Sequence, residues 1–363
     1  MTGQFSPRDF DWTLIGLALA ISTLGLLEVY SATRNTQWQN AHYKQLAWLA
    51  GGLLLLWIVS MIDYNWLVEH VYVFYGIGLL LLVVVLLVAK PIGGARRWLP
   101  LPGGAGLQVS EFLKVVLILL MARLFSNLPQ GRLTLPALLK IGGLFALPML
   151  LVLRQPDLST SLSYLPILAI GVFLTGVPWK YVAIGAAIAV LILPLGWQHL
   201  KPYQQDRVLT FLNPERDPLG SGYQPIQSKI AVGSGGIWGR GFARGEQTQL
   251  RFLPVPHTDF VFSAYAEETG FVGVVLALSL YLAMLMKIVT NAQTASDTAG
   301  ALICMGTAAL ILFHIGVNIG MVIGRMPVTG IPLPLMSYGG SNLLTVFLLL
   351  GLVNNVRLRR FTN

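Results

Sequence analysis

Val71-Tyr-Val-Phe-Tyr-Gly-Ile-Gly-Leu-Leu-Leu-Leu-Val-Val-Val-Leu-Leu-Val-Ala89 runs for 19 positions without a charged side chain. At about 1.5 Å per residue, a helix of that length crosses most of a ~30 Å hydrocarbon core. The residues are too uniformly apolar for the alternating strands of an outer-membrane barrel. Working outward, the same test predicts spans at 11–32, 43–62, 66–89, 108–125, 135–153, 160–176, 179–197, 259–288, 299–322 and 338–356. The expected fold is an all-α integral membrane protein of about ten transmembrane helices. It forms one polytopic domain, 1–363, with a large loop, 198–258, between helices seven and eight, extracytoplasmic if both termini lie inside.

Composition agrees. The 363 residues are 55% hydrophobic and 11% charged, where a soluble domain carries about a quarter charged. The stretch Trp12–Val29 exceeds the apolar core of a cleaved signal and reads as the first helix. Net charge is +9, and the cations lie in membrane loops. That favours anionic headgroups or phosphorylated substrates over nucleic acid. The single Cys304 excludes an intrachain disulfide and a thiolate metal cluster. His42, His70, His199, His257 and His314 show no zinc-ligand spacing.

Arg357-Leu-Arg359-Arg360 argues for a cytoplasmic C-terminus. The loops this places outside hold more cations, among them Arg34, Lys90, Arg96, Arg97, Arg154 and Arg325. Composition therefore leaves orientation open. Tyr43, Trp57, Trp66, Trp179 and Trp197 fall near predicted span ends, as interfacial anchors do.

The excursion 198–258 is far longer than an ordinary connection. It has aromatic residues, turn signals and an amphipathic stretch at 223–232, and is expected to fold against the outer surface of the bundle. Asp259 follows it and is expected to open the eighth helix. Its bland role is to favour the helix N-terminus; its functional role is a general base at the bilayer surface. Burial would raise its pKa and cations would lower it. Helical spacing puts Asp259, Ser263 and Glu267 on one face. Glu111 and Lys114, three apart, either neutralise each other or line a cavity. Asp157 is an N-cap or a cavity carboxylate. Arg207, Lys229, Arg240, Arg244 and Arg251 offer phosphate contacts, against a surface role for each. Gly233-Ser-Gly-Gly-Ile-Trp-Gly-Arg-Gly241 has glycines but lacks the phosphate-loop pattern and a preceding strand.

Several segments together resemble the SEDS family of bacterial cell-wall proteins. They are Gly94-Ala-Arg96-Arg97-Trp98-Leu, Ser110-Glu111-Phe112-Leu-Lys114, Gln155-Pro156-Asp157-Leu158, Asp206-Arg207, Phe211-Leu-Asn213-Pro214 and Asp217-Pro218-Leu-Gly220. The match continues through Gln227-Ser-Lys229-Ile-Ala, Phe252-Leu-Pro254, His257-Thr-Asp259-Phe, Ala266-Glu267-Glu268, Asn318-Ile-Gly-Met321, Pro327-Val-Thr-Gly-Ile-Pro-Leu-Pro334 and Ser337-Tyr-Gly-Gly-Ser341. Lys229 and Gly245-Glu-Gln247-Thr-Gln249-Leu are closer to the elongation branch than to the division branch. Val255, Val109 and Ser159 depart from the usual Glu, Pro and Gly.

The resemblance implies a peptidoglycan glycosyltransferase that polymerises lipid II on the outer face of the cytoplasmic membrane. Both termini would be inside, with a class B penicillin-binding protein and the elongation machinery as partners. It implies Asp259 as the essential acid, with Glu111, Lys114 and Asp157 in the cavity. Mechanistically, Asp259 is expected to act as base. Undecaprenyl pyrophosphate leaves against Lys114, Arg207, Lys229 and Arg240, with Mg²⁺ or Mn²⁺ as the candidate metal. Two other readings stand beside this one. One is a flippase for a polyprenyl-linked precursor, coupling protons through Glu28, Glu267, Glu268 and His314. The other is a different membrane glycosyl ligase.

Overall fold

A computed structural model describes residues 10–34, 36–90, 96–100, 106–128, 134–176, 183, 187 and 202–360. Its helices are α1 (Trp12–Thr33), α2 (Ala41–Met61), α3 (Tyr64–Glu69), α4 (Val71–Val88), α5 (Val109–Ser126), α6 (Leu135–Arg154), α7 (Leu158–Leu162), α8 (Leu165–Leu174), α9 (Pro202–Leu212), α10 (Tyr223–Ser234), α11 (Glu246–Gln249), α12 (Val261–Gln293), α13 (Thr298–Val322) and α14 (Gly340–Leu358). Among the described residues, seven helices are long and apolar enough to cross a membrane. The chain is an all-α, multi-pass membrane protein. Its only described sheet is a two-stranded ribbon, β1 (Leu99–Pro100) and β2 (Gly106–Leu107), pairing Leu99 with Leu107. The predicted seventh span, 179–197, lies outside the described residues apart from 183 and 187.

Three predicted spans are broken, each for a local reason. The third divides at His70, which ends α3 and begins α4. The sixth divides into α7 and α8, where Pro166 fits the first turn of α8 because its missing N–H is not needed there. The eighth breaks inside α12 at Gly270, with φ 66° and ψ −165°, a conformation essentially reserved for glycine.

The break in α12 frees main-chain groups, and the glycine-rich loop 235–241 satisfies them. Arg240 and Gly241 N–H groups donate to the Glu267 and Glu268 carbonyls at 3.0 and 2.9 Å. Phe271 and Val272 N–H groups donate back to Gly236 and Ile237 carbonyls at 2.9 and 3.1 Å. Two backbones approach this closely only without side chains. A Cβ on Gly270 would stand 2.6 Å from the Ile237 carbonyl oxygen and closer still to the Gly239 nitrogen. These glycines thus serve main-chain pairing with a broken membrane helix.

The membrane levels follow from two helices. At one end, Asp11 is fully buried, accepts from Arg357 Nη1 (2.9 Å) and Asn291 Nδ2 (2.8 Å), and forms an ion pair with Lys287 Nζ (3.6 Å). The start of α1 and the ends of α12 and α14 therefore share one membrane face. At the other end, Ser31 Oγ donates to the Glu268 carboxylate. Asp11 to Ser31 and Lys287 to Glu268 each span about 28–30 Å of helix, one hydrocarbon thickness. The Gly270 break thus lies about one hydrocarbon thickness along α12 from Lys287. There α10 packs on α12 and α13: Ser228 Oγ lies 2.8 Å from Ser263 Oγ and donates to the Val322 carbonyl at 2.9 Å.

Candidate active site

Asp259 does not open the helix. α12 begins at Val261 with Phe260 as its N-cap, and no side chain caps that end. Its carboxylate is therefore not spent on capping. The half-buried residue sits in the turn His257-Thr258-Asp259, which α13 and the segment before α14 hold through its main-chain carbonyls. Asn318 Nδ2, on α13, donates to the Asp259 carbonyl at 3.0 Å and to the Ile331 carbonyl at 2.8 Å. Ser337 Oγ donates to the Thr258 carbonyl at 2.7 Å. Tyr338 N–H donates to the His257 carbonyl at 2.9 Å.

Beside the carboxylate lies Gly330, with φ +74°; a Cβ there would be 3.3 Å from Oδ2. Burial raises the Asp259 pKa above the ordinary carboxylate range. Opposing it are the Arg207 charge, the Thr258 hydroxyl and the Arg97 charge, in that order. The contest left open by the residues alone is won by desolvation.

Asp157 is buried and does two things. Its Oδ1 caps α7 by accepting from Thr160 N–H at 3.2 Å. Its Oδ2 accepts from Gln108 Nε2 at 3.1 Å and pairs with Arg97 at 3.4 Å. The β1–β2 ribbon lies between Arg97 and Gln108 and returns the chain to the start of α5. Two residues on, Ser159 Oγ donates to the Thr329 carbonyl. Arg207 Nη1, on α9, reaches the same carbonyl at 3.3 Å. The main chain 329–331 thus ties Asp157, Arg207 and Asp259 to one another.

Glu111 and Lys114 meet as their spacing predicts, at 2.6 Å, and both are buried. Lys114 Nζ also lies 3.3 Å from His314 Nε2, and Asn342 Nδ2 donates to Glu111 Oε2 at 3.0 Å. The ammonium is enclosed in the bundle by these groups, so in this conformation it faces partners within the protein. His314 Nδ1 is 3.4 Å from the Pro332 carbonyl, which joins this network to the same segment.

Arg207 and Lys229 line a cleft of about 300 Å³ between α9, α10 and the turn 324–328, with Asp206, Phe211, Ser221 and Gln224. Lys229 lies across Gly324, where φ is +69°. Arg240 and Glu267 are not brought to this cluster. Arg240 is exposed on the loop paired with the α12 break. Glu267 turns towards α11 and accepts from Gln247 N–H (2.7 Å), Thr248 N–H (3.1 Å) and Thr248 Oγ1 (2.8 Å). The predicted shared face of Asp259, Ser263 and Glu267 does not form, because Asp259 precedes the helix and Ser263 is engaged by Ser228.

Reading the residues alone assigned no role at Asp259 to Gln108, Asn318 or Asn342, and considered His314 only for proton coupling. His314 and Asn318 are lone polar residues within an apolar run, a signal of a polar partner that does not name it. Among the described residues no group of three or more His, Cys, Asp or Glu side chains is arranged to hold a metal ion.

The sequence profile of the FTSW_RODA_SPOVE family, described as cell cycle protein, matches residues 11–361. The chain is 37% identical to peptidoglycan glycosyltransferase MrdB of Escherichia coli K12, over 96% of this chain and 94% of that one. It is 34% identical to peptidoglycan glycosyltransferase RodA of Treponema pallidum, over 97% and 98%. A solved chain from work described as "Structural coordination of polymerization and crosslinking by a peptidoglycan synthase complex" superposes with TM-score 0.84 at 38% identity, covering 98% and 99%. The rod shape determining protein RodA of Thermus thermophilus superposes with TM-score 0.72 at 32% identity, covering 98% of each chain.

Proposed function

Because this chain belongs to the FtsW, RodA and SpoVE family and is a membrane-embedded peptidoglycan glycosyltransferase, we propose that it polymerises lipid II with Asp259 as general base. The observation that carries the assignment is a carboxylate not spent on capping: Asp259 caps no helix, and burial holds its pKa up against two nearby guanidinium charges and the Thr258 hydroxyl. A base poised in this way accepts a proton from a sugar hydroxyl more readily than an ordinary surface carboxylate.

The acceptor hydroxyl oxygen forms a bond to the donor's anomeric carbon as the bond from that carbon to undecaprenyl pyrophosphate breaks. The hydroxyl proton passes to Asp259, and the bonding pair leaves with the pyrophosphate. A single displacement inverts the anomeric carbon, turning an α-linked donor into a β linkage. Arg207 and Lys229, on the walls of one cleft, are suited to the leaving pyrophosphate. Arg97, paired with Asp157, adds a second guanidinium charge acting on Asp259. Lys114 acts through the bundle, holding Glu111 and His314 in register.

The described residues do not form a protein-built Mg²⁺ or Mn²⁺ site. A divalent ion would draw most of its oxygen ligands from substrate phosphates, and no step here is routed through one. The site belongs on the outer face of the cytoplasmic membrane, with both termini inside and the isoprenoid tails against the helices. Its resemblance to a subunit of a peptidoglycan synthase complex supports a class B penicillin-binding protein as partner, within the elongation machinery.

The test is Asp259→Asn in purified protein, measured as lipid II polymerisation. The expected loss is about 10²- to 10⁴-fold, the usual contribution of a positioned base. Wild-type polymerisation by the variant would remove Asp259 from that role.

A further inference from the structure

The turn between α1 and α2 carries an aromatic residue that the reaction above does not use. Thr36 Oγ1 accepts from Trp38 N–H at 3.0 Å and donates to the Thr33 carbonyl at 2.8 Å, so the Trp38 backbone is fixed. The Trp38 ring lies 5.5 Å from the His257 ring, tilted 36°, and 6.4 Å from the Tyr338 ring. His257 and Tyr338 are 5.8 Å apart and joined through their main chains. His257 is 8% exposed, whereas Trp38 is 44% exposed. One side of the indole is thus supported by the turn that holds Asp259, and much of the rest is open. Gln45 ties α2 to the same assembly, donating to the Ser337 carbonyl at 3.2 Å and accepting from Gly339 N–H at 3.4 Å.

We propose that Trp38, backed by His257 and Tyr338, is a stacking site for an N-acetylhexosamine ring of the nascent β-linked glycan. It would hold the strand beside the base between additions. This rests on the reading of Asp259 as base. A pyranose ring presents a face of C–H groups, and a flat aromatic ring supported behind and open in front is complementary to it. An aromatic surface combines contact area with low conformational cost. His257 is two residues from Asp259, so their Cα atoms are at most about 7 Å apart. Trp38 packs on the turn that carries Asp259, so a sugar on Trp38 lies within a few rings of the reacting centre. Burial lowers the His257 pKa, so the supporting ring is neutral around pH 7. A bilayer belt would seat an aromatic residue against a lipid-facing helix flank. Trp38 instead follows α1, which has already spanned a hydrocarbon thickness, and packs on the turn holding Asp259.

The experiment uses the purified full chain with labelled lipid II, reading strand length on gels alongside lipid II consumption. Trp38→Leu keeps apolar bulk but removes the ring. It is expected to shorten mean strand length about fivefold, the loss of roughly one stacking contact, with consumption falling less. Trp38→Tyr is expected to restore most of the length. Trp66→Leu is the control, because Trp66 is also exposed and pairs with a histidine, His70, but lies by the opposite membrane face; it should match wild type. A β-1,4-linked N-acetylglucosamine hexamer added in excess should shorten wild-type strands but not those of Trp38→Leu. Unchanged length in Trp38→Leu, equal loss of length and consumption, or no response of wild type to the hexamer overturns the proposal. Polymerisation by Asp259→Asn overturns the base assignment while leaving the strand-length comparison intact.

Discussion

Replacing Gly270 by alanine tests how the loop 235–241 is attached to the bundle. Alanine at φ 66°, ψ −165° is strained by about 1–3 kcal/mol. The new Cβ would also collide with Gly239 and Ile237, so loop 235–241 must move away. That movement breaks four main-chain hydrogen bonds, from Arg240, Gly241, Phe271 and Val272. At ~1 kcal/mol net for each, the loss is ~4 kcal/mol, and the two terms together predict a destabilisation of about 5–7 kcal/mol. Thermal unfolding in detergent, read by intrinsic fluorescence, should show a large drop in midpoint together with loss of lipid II polymerisation. Gly316→Ala is the matched control: its Cβ would meet nothing within 4 Å and α13 is regular there, so the midpoint should hold or rise. A Gly270→Ala protein as stable and active as Gly316→Ala would refute the main-chain attachment.

Removing the Arg207 charge should move the pH dependence of polymerisation in a definite direction. Arg207 lowers the Asp259 pKa, and the base must be deprotonated, so Arg207→Gln should shift the acidic limb to higher pH. An unmoved or lowered limb, measured as rate against pH, contradicts the assignment. Lys114→Met leaves the buried Glu111 carboxylate without its cation and should destabilise by about 3–5 kcal/mol, with Lys114→Met/Glu111→Gln recovering much of it in thermal unfolding. Asn318→Leu removes the amide that fixes both Asp259 and Ile331. A loss of about 2–3 kcal/mol in denaturation and weaker polymerisation are expected.

The membrane helices were legible because hydrocarbon sets a length and an apolar composition that a run such as 71–89 meets by itself. The breaks were less so. Gly270 follows Glu267-Glu268-Thr269 and opens an apolar run, and its backbone angles depend on a loop some 30 residues earlier that comes to pair with it. Parts of the candidate site's geometry were legible in residue type and spacing: Asp157 caps a helix and Glu111 meets Lys114. Geometry was not legible where a role depends on what a fold brings near. Glu267 looks like a cavity acid until the α11 donors converge on it, and Lys114 looks like a phosphate ligand until His314 closes over it.

The segment 329–332 has a consequence for how this protein can drift in sequence. Ser159 and Arg207 read the Thr329 carbonyl, Asn318 reads that of Ile331, and His314 lies beside that of Pro332. A carbonyl oxygen is supplied by every amino acid. Side chains at several of these positions can therefore change while the contacts persist. One inserted or deleted residue would instead slide every carbonyl past its partner at once. The segment should tolerate substitution far better than any change in its length.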